Sequence, residues 1–224
     1  MQLNKMIDHT KLGASINKEQ IDKLIGEAKE FDFKSVCVNP VWVKYAKHQL
    51  KKTDVLVCTV IGFPHGTHQP QVKAFEAEVA VKDGADELDM VINVNALKSK
   101  DYHTILAEIK GVVAKGEGRT VKVILETCYL TPEEIVKASE LAVEAGAHFV
   151  KTSTGFGTSG AKIEDVQLMK KTVGNRAEVK ASGGVRTYED AVKMVEAGAT
   201  RIGTSNGVDI VQKGRTTNDT NTSY

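Results

Sequence analysis

Three stretches of this 224-residue chain follow one template: AVKDGADELDM (Ala80 to Met90), AVEAGAHFVKT (Ala142 to Thr152) and MVEAGATRIGT (Met194 to Thr204). Each reads as a helix end, a Gly-Ala turn and a short strand. A glycine just past a helix adopts the left-handed C-cap without the clash a Cβ would bring. Gly84, Gly146 and Gly198 are therefore each expected to close a helix and feed a strand. The repeat restricts the fold strongly, because strands launched alike place equivalent residues at one height and facing one way. Five residues after the template glycine stand Asp89, Lys151 and Gly203. An acid, an amine and a position without a side chain are thus expected to converge near one end of a parallel sheet, the layout of an active site.

Strand-like apolar runs alternate with helical ones along the whole chain. Strands are expected near Ile7 to His9, Lys34 to Val38, Val55 to Ile61, Glu87 to Ile92, Val121 to Glu126, Phe149 to Thr152, Glu178 to Ala181 and Arg201 to Thr204. Between them Ile21, Leu24, Ile25 and Ala28 share one helical face, as do Ile105, Ile109, Val112 and Val113. Thr131-Pro132-Glu133-Glu134 combines an N-cap, a first-turn proline and a capping-box glutamate, and Asn17 with Gln20 makes a similar pair. No linker divides the chain before about Lys213. Eight such units in one domain predict an α/β fold, a (β/α)8 TIM barrel over residues 1–213, compact beside the typical ~250 residues. An open doubly wound sheet is the alternative, but it normally has fewer strands, and no glycine-rich dinucleotide fingerprint follows the first strand. Residues 214–224, GRTTNDTNTSY, are polar and aperiodic and are expected to form a mobile tail after a short final helix.

Composition narrows the function classes. Thirty basic and 29 acidic residues, without a long run of either sign, give no electrostatic footprint for nucleic acid or an anionic membrane. No stretch approaches the ~20 apolar residues of a membrane span, and the start, MQLNKMIDHTKLG, lacks a signal-peptide core. Small-molecule chemistry in the cytoplasm is the expectation. Cys37, Cys58 and Cys128 are widely spaced and lack any CxxC, so reduced thiols are expected rather than disulfides or a zinc site.

Alternation along ELDMVIN puts Glu87 and Asp89 on one strand face and Leu88 and Met90 on the other; the acids are expected inside the barrel. The same count in VKVILE puts Lys122, Ile124 and Glu126 on one face and Val121, Val123 and Leu125 on the other, which makes Lys122 an interior lysine. Lys151 in HFVKTS and Lys180 in EVKAS lie among apolar neighbours at strand ends. Burying these charges singly would be very costly, so Asp89, Glu87, Lys122, Lys151 and Lys180 are expected to form one paired network. A protonated Lys180 beside Lys151 disfavours a second positive charge, which favours a neutral, nucleophilic amine at Lys151; the competing reading makes both lysines structural ion-pair partners. Gly183 and Gly184 in ASGGVRTYEDA, and Gly203 to Asn206 in IGTSNGVDI, lie between strands seven and eight and the helices that follow. Bare backbone amides and helix N-termini there predict a phosphate site. His65 and His68 in FPHGTHQP have no carboxylate nearby in sequence and read as loop residues rather than metal ligands, while Trp42 and Tyr45 read as packing residues.

ELDMVIN, FVKTSTGF and VKASGGVRT, in this order and spacing, resemble the deoxyribose-phosphate aldolases, and the likeness runs from IDHT at Ile7 to GTSNG at Gly207. The resemblance implies a metal-independent class I aldolase on a (β/α)8 barrel that needs no cofactor. It makes Lys151 the Schiff-base lysine, Lys180 the lysine that tunes it and Asp89 the proton-transfer acid. Gly183, Gly184, Gly203, Ser205 and Asn206 would hold phosphate, with Asp8, Thr10, Cys37 and Lys122 near the site. The implied reaction is reversible cleavage of 2-deoxy-D-ribose 5-phosphate to acetaldehyde and D-glyceraldehyde 3-phosphate, in a homo-oligomer, dimer or tetramer. Phe156 stands where some members have a basic residue and Asn206 where some have serine, which shifts the expected phosphate grip toward backbone amides. Tyr224 is expected to reach the site for proton transfer. Rival readings are a Schiff-base barrel for another phosphorylated carbonyl compound, a barrel holding pyridoxal phosphate on Lys151, and a non-catalytic phosphosugar-binding barrel.

Overall fold

The computed structural model describes residues 2–220. Among the described residues eight strands alternate with helices: β1 (Ile7–Lys11), α1 (Lys18–Glu30), β2 (Ser35–Val38), α2 (Val43–Gln49), β3 (Leu56–Ile61), α3 (Pro70–Asp83) and β4 (Glu87–Val91). After a short α4 (Val94–Lys98) come α5 (Tyr102–Lys115), β5 (Thr120–Ile124), α6 (Pro132–Glu144), β6 (Phe149–Lys151), α7 (Ile163–Val173), β7 (Glu178–Ser182), α8 (Tyr188–Glu196), β8 (Arg201–Thr204) and α9 (Gly207–Thr220). The strands pair in parallel in chain order, and β8 pairs back onto β1, closing a barrel. This is the (β/α)8 architecture the alternation predicts.

The repeated template acts as expected. Gly84, Gly146 and Gly198 have φ of 102°, 89° and 115°, a region a side chain rarely tolerates, and each turns a helix end into a strand. The predicted caps form as well: Asn17 with Gln20, and Thr131 with Glu134, are reciprocal capping boxes on α1 and α6. Such caps contribute about 1 kcal/mol each. Ile21, Leu24, Ile25 and Ala28 are the buried face of α1, and Ile105, Ile109 and Val112 that of α5, with Val113 partly buried.

Two expectations are revised. Strand β5 ends at Ile124 rather than Glu126, because Glu126 turns into the left-handed region at φ 57°. The final helix is not short: α9 continues to Thr220, past residue 213. Ile210 and Val211 are buried, and helix propagation from such an anchored turn is cooperative, so the backbone stays helical through polar sequence. Residues 221–224, including Tyr224, lie outside the described residues.

Strand alternation separates two environments. Val36, Val38, Leu88, Met90, Val121, Val123, Val150, Val179, Ala181 and Ile202 join the apolar shell between strands and helices. Their neighbours point inward and are largely polar. One further ion pair lies in the shell itself: Lys73 of α3 and Glu108 of α5, both fully buried, meet at 2.6 Å. Lys73 also donates to the Val91 carbonyl, and Glu108 accepts from the Asn93 amide, so the pair anchors the segment leaving β4. Burial pushes the Lys73 amine down and the Glu108 carboxyl up, so each charge depends on the other. Lys73→Met should therefore cost about 3–5 kcal/mol in urea unfolding, and Lys73→Met with Glu108→Leu should recover part of that loss.

Candidate active site

The barrel centre is ionic. Lys151 Nζ and Lys180 Nζ each lie 2.8 Å from Asp89 Oδ2, while Lys122 Nζ lies 2.8 Å from Asp89 Oδ1 and 2.7 Å from Glu87. Lys180 reaches Asp8 at 2.5 Å. Arg201 bridges Asp8 at 2.8 Å and Glu87 at 2.7 Å through Nη1, and adds a second bond to Glu87 through Nη2 at 3.1 Å. Ser35 donates to Asp8 at 2.7 Å and the Cys58 thiol to Asp89 at 3.2 Å. Register explains the meeting: Asp89 pairs with Lys122, Lys151 with Lys180 and Lys180 with Arg201 across neighbouring strands.

These contacts fix the ionisation of the network. Burial opposes charge on Asp8, but Lys180, Lys122 and Arg201 outweigh it and hold the carboxyl below its ordinary range. Asp89 is likewise buried yet kept well below that range by Lys122, Lys151 and Lys180. Burial also opposes charge on Lys180, and Asp8 with Asp89 reverses the effect and raises its amine. Lys122 is raised in the same way, chiefly by Asp89 against burial. Lys180 is thus a firmly held cation beside Lys151. Cys37, Cys58 and Asp89 lie within 4.8 Å of one another, but Asp89 is shared by three ammonium groups, so a metal ion there would have to displace Lys122.

Above the network a cavity of about 260 Å³ opens at the C-terminal end of the barrel. Lys151, 3% exposed, lies at its floor. Thr10, Gly183, Gly184, Gly203, Ser205 and Asn206 also line it, so the two predicted glycine loops converge on the predicted amine. Gly183 and Gly184 have φ of 80° and 79°, and a Cβ on Gly203 would come within 2.9 Å of Ser182 Cβ and 3.0 Å of Lys180 Cε. Hydroxyls stitch the rim: Ser182 donates to the Ser153 carbonyl at 2.6 Å and Thr152 to the Ser182 carbonyl at 3.1 Å. Asp8, Cys37 and Lys122 are fully buried and lie beneath the cavity rather than on its wall. His65 and His68 are exposed loop residues, and Trp42 and Tyr45 pack partly buried against the core.

Sequence reasoning singled out neither Arg201 nor Arg186, and it placed Glu126 on the Lys122 face without giving it a contact. Arg201 carries no motif, although counting back two residues from Gly203 along β8 places it inside. Arg186 lines the cavity, as does Phe156, and supplies a basic side chain there. Glu126 accepts from the Thr154 amide at 3.1 Å and from its hydroxyl, pinning the TSTG loop; its left-handed backbone has no sequence signal.

The model of the DeoC/LacD family of aldolases matches residues 3–213 of this chain. The chain belongs to that family. It is 60% identical to the deoxyribose-phosphate aldolase of Carboxydothermus hydrogenoformans, over 94% of each chain, and 57% identical to that of Acholeplasma laidlawii over the whole of both. The solved tetrameric deoxyribose phosphate aldolase of Aeropyrum pernix superposes with a TM-score of 0.89 at 33% identity, covering 96% of this chain and 92% of its own. The DeoC/LacD chain described here is accordingly an enzyme, a carbon–carbon lyase.

The ion network makes the fold sensitive to acid. Asp8 and Asp89 titrate lower folded than unfolded, so their stabilisation is complete above the unfolded carboxyl range near ~3.9 and is lost as pH falls below it. The thermal midpoint, followed by circular dichroism, should drop steeply below about pH 4. Asp8→Asn should start lower at pH 7 and lose less on acidification.

Proposed function

We propose that the enzyme cleaves 2-deoxy-D-ribose 5-phosphate reversibly to acetaldehyde and D-glyceraldehyde 3-phosphate through a Schiff base on Lys151. The observation that carries this reading is the unequal pairing of the buried cations. Lys122, Lys180 and Arg201 each contact two or more carboxylates, whereas among the described residues the carboxylate that Lys151 contacts is Asp89 alone, which it shares with two other ammonium groups. Lys151 is also the member of the set that lines the cavity. Asp8, Glu87 and Asp89 balance three of the four cations, so loss of a proton from Lys151 leaves the cluster neutral. An amine without its proton is a nucleophile.

In this mechanism Lys151 Nζ attacks the aldehyde carbon of the open-chain sugar, and loss of water gives an iminium. Removal of the C3 hydroxyl proton breaks the C2–C3 bond and sends its electron pair into the iminium, leaving an enamine on Lys151. Protonation at C2 and hydrolysis release acetaldehyde and return the amine. Asp89, 2.8 Å from both amines, steadies the iminium, and it takes up the C3 hydroxyl proton and returns it to C2 of the enamine, directly or through one water, while the Lys180 cation beside it tunes the site. Lys180, raised and fully buried, stays cationic.

The phosphate of the substrate would sit against Gly183, Gly184, Gly203, Ser205 and Asn206, where the loops after β7 and β8 lead into α8 and α9, and Arg186 adds a cation at the rim. Arg186→Ala is expected to raise KM for the phosphorylated sugar severalfold and to leave kcat/KM for 2-deoxyribose nearly unchanged in a coupled aldehyde assay.

The reaction places the enzyme in catabolism of deoxynucleoside-derived sugar phosphates. Three free cysteines fit a reducing cytoplasm, and no helix among the described residues is long and apolar enough to cross a membrane. A homo-oligomer is part of the proposal: the related Aeropyrum pernix aldolase is tetrameric, and the outer face of α3 exposes Val72, Phe75 and Val79 in one helical stripe.

Incubation with acetaldehyde and borohydride should leave a reduced two-carbon adduct on Lys151, located by peptide mass spectrometry. Lys151→Arg should lack the adduct and lose cleavage activity by about 10³-fold or more. A folded wild-type protein without an adduct would overturn the Schiff-base reading.

A further inference from the structure

Arg201 and Glu87 occupy the barrel below the site, and neither lines the cavity. They are 6% and 2% exposed, and the guanidinium also lies 5.3 Å from the centre of the Phe149 ring. They are joined to Lys151 by an unbroken chain: Arg201 to Glu87, Glu87 to Lys122, Lys122 to Asp89 and Asp89 to Lys151, with no step longer than 2.8 Å. A second path runs from Arg201 through Asp8 and Lys180 to the same Asp89 oxygen. The polar groups facing Lys151 and this chain are Asp8 from β1, Ser35 and Cys37 from β2, Cys58 from β3, Glu87 and Asp89 from β4, Lys122 from β5, Lys180 from β7 and Arg201 from β8.

We propose that Arg201 and Glu87 are positioning residues that set the net charge of the buried cluster and thereby govern whether Lys151 holds its proton. With every amine protonated, Lys122, Lys151, Lys180 and Arg201 exceed Asp8, Glu87 and Asp89 by one positive charge. Without Arg201 the same carboxylates balance the three lysines, and the proton on Lys151 is retained. Without the charge of Glu87 the excess doubles, and the proton leaves more readily. Opposite residues therefore act in opposite directions, although neither touches substrate. The comparison keeps both thiols in every variant, so it does not depend on their ionisation. Arginine suits the post because its fork bonds Glu87 twice and Asp8 once; a lysine would keep the charge and lose that geometry.

The inference rests on Lys151 as the nucleophile, so its test reads two things in the full-length chain. The first is the borohydride-trapped adduct with acetaldehyde in the wild type. The second is the acidic limb of kcat/KM against pH for cleavage of 2-deoxyribose 5-phosphate. Glu87→Gln should move the limb to lower pH by about one unit, and Arg201→Met should move it to higher pH by about as much, the size expected of one charge a few residues away in a partly screened interior. The double variant should return the limb to within about 0.3 units of wild type. Arg201→Lys should leave the limb in place and lower kcat. A limb that stays put in Glu87→Gln, or that moves the same way in both single variants, overturns the inference while a wild-type adduct on Lys151 keeps the Schiff-base reading intact. Absence of that adduct overturns both. If Arg201→Met does not fold, the limb of Glu87→Gln decides alone.

Discussion

Everything in this barrel depends on burying seven ionic side chains at its centre. Moving a single ammonium or carboxylate into such an interior costs several kcal/mol even after relaxation, and a lone charge would simply lose its ionisation. Asp8, Glu87 and Asp89 avoid this by each accepting from at least two cations, so the network is held from both sides by strands that are not neighbours in sequence. The apolar shell fixes these strands from outside and fixes the side-chain register with them. A one-residue slip of β4 would send Asp89 into the shell and Leu88 into the ion cluster, which makes the register nearly unambiguous.

The rim adds what the centre lacks. A charged floor attracts an anion but does not orient a sugar. Gly183, Gly184 and Gly203 let backbone approach where side chains would intrude, and the closeness of Gly203 to Lys180 shows how little room the strand leaves. Close approach is also required across the rim, because a Cβ on Gly160 would sit 2.1 Å from the Gly183 carbonyl oxygen. The loop after β6 and the loop after β7 are therefore one construction, joined by the Ala161 amide bonding to the Ser182 and Gly183 carbonyls.

Much of this was legible in the amino acids because it follows from period. Alternation placed Glu87, Asp89 and Lys122 inside, and the Gly-Ala template placed Asp89, Lys151 and Gly203 at one level. Period gives a face but not a partner or a backbone angle. Arg201 falls on the inward face by the same count, two residues before Gly203, but nothing in the amino acids names its partners, which lie more than a hundred residues away. Glu126 shares the Lys122 face by alternation, but its left-handed backbone and its contacts with Thr154 follow from no strand pattern. The extent of α9 escaped notice because polar residues carried the helix on from buried anchors at Ile210 and Val211.

The charge excess also explains why the chemistry would run forward once the imine has formed. In the proposed cycle the free amine leaves the cluster balanced, whereas the iminium returns one positive charge to a buried site already holding Lys122, Lys180 and Arg201. Asp89 offsets part of this, but its oxygens are shared with Lys122 and Lys180. Moving the C2–C3 electron pair into the iminium gives a neutral enamine, and the positive charge passes as the C3 hydroxyl proton to Asp89. The same arrangement that frees Lys151 to attack therefore strengthens the electron sink it becomes, and a site with a fourth carboxylate would weaken both steps together.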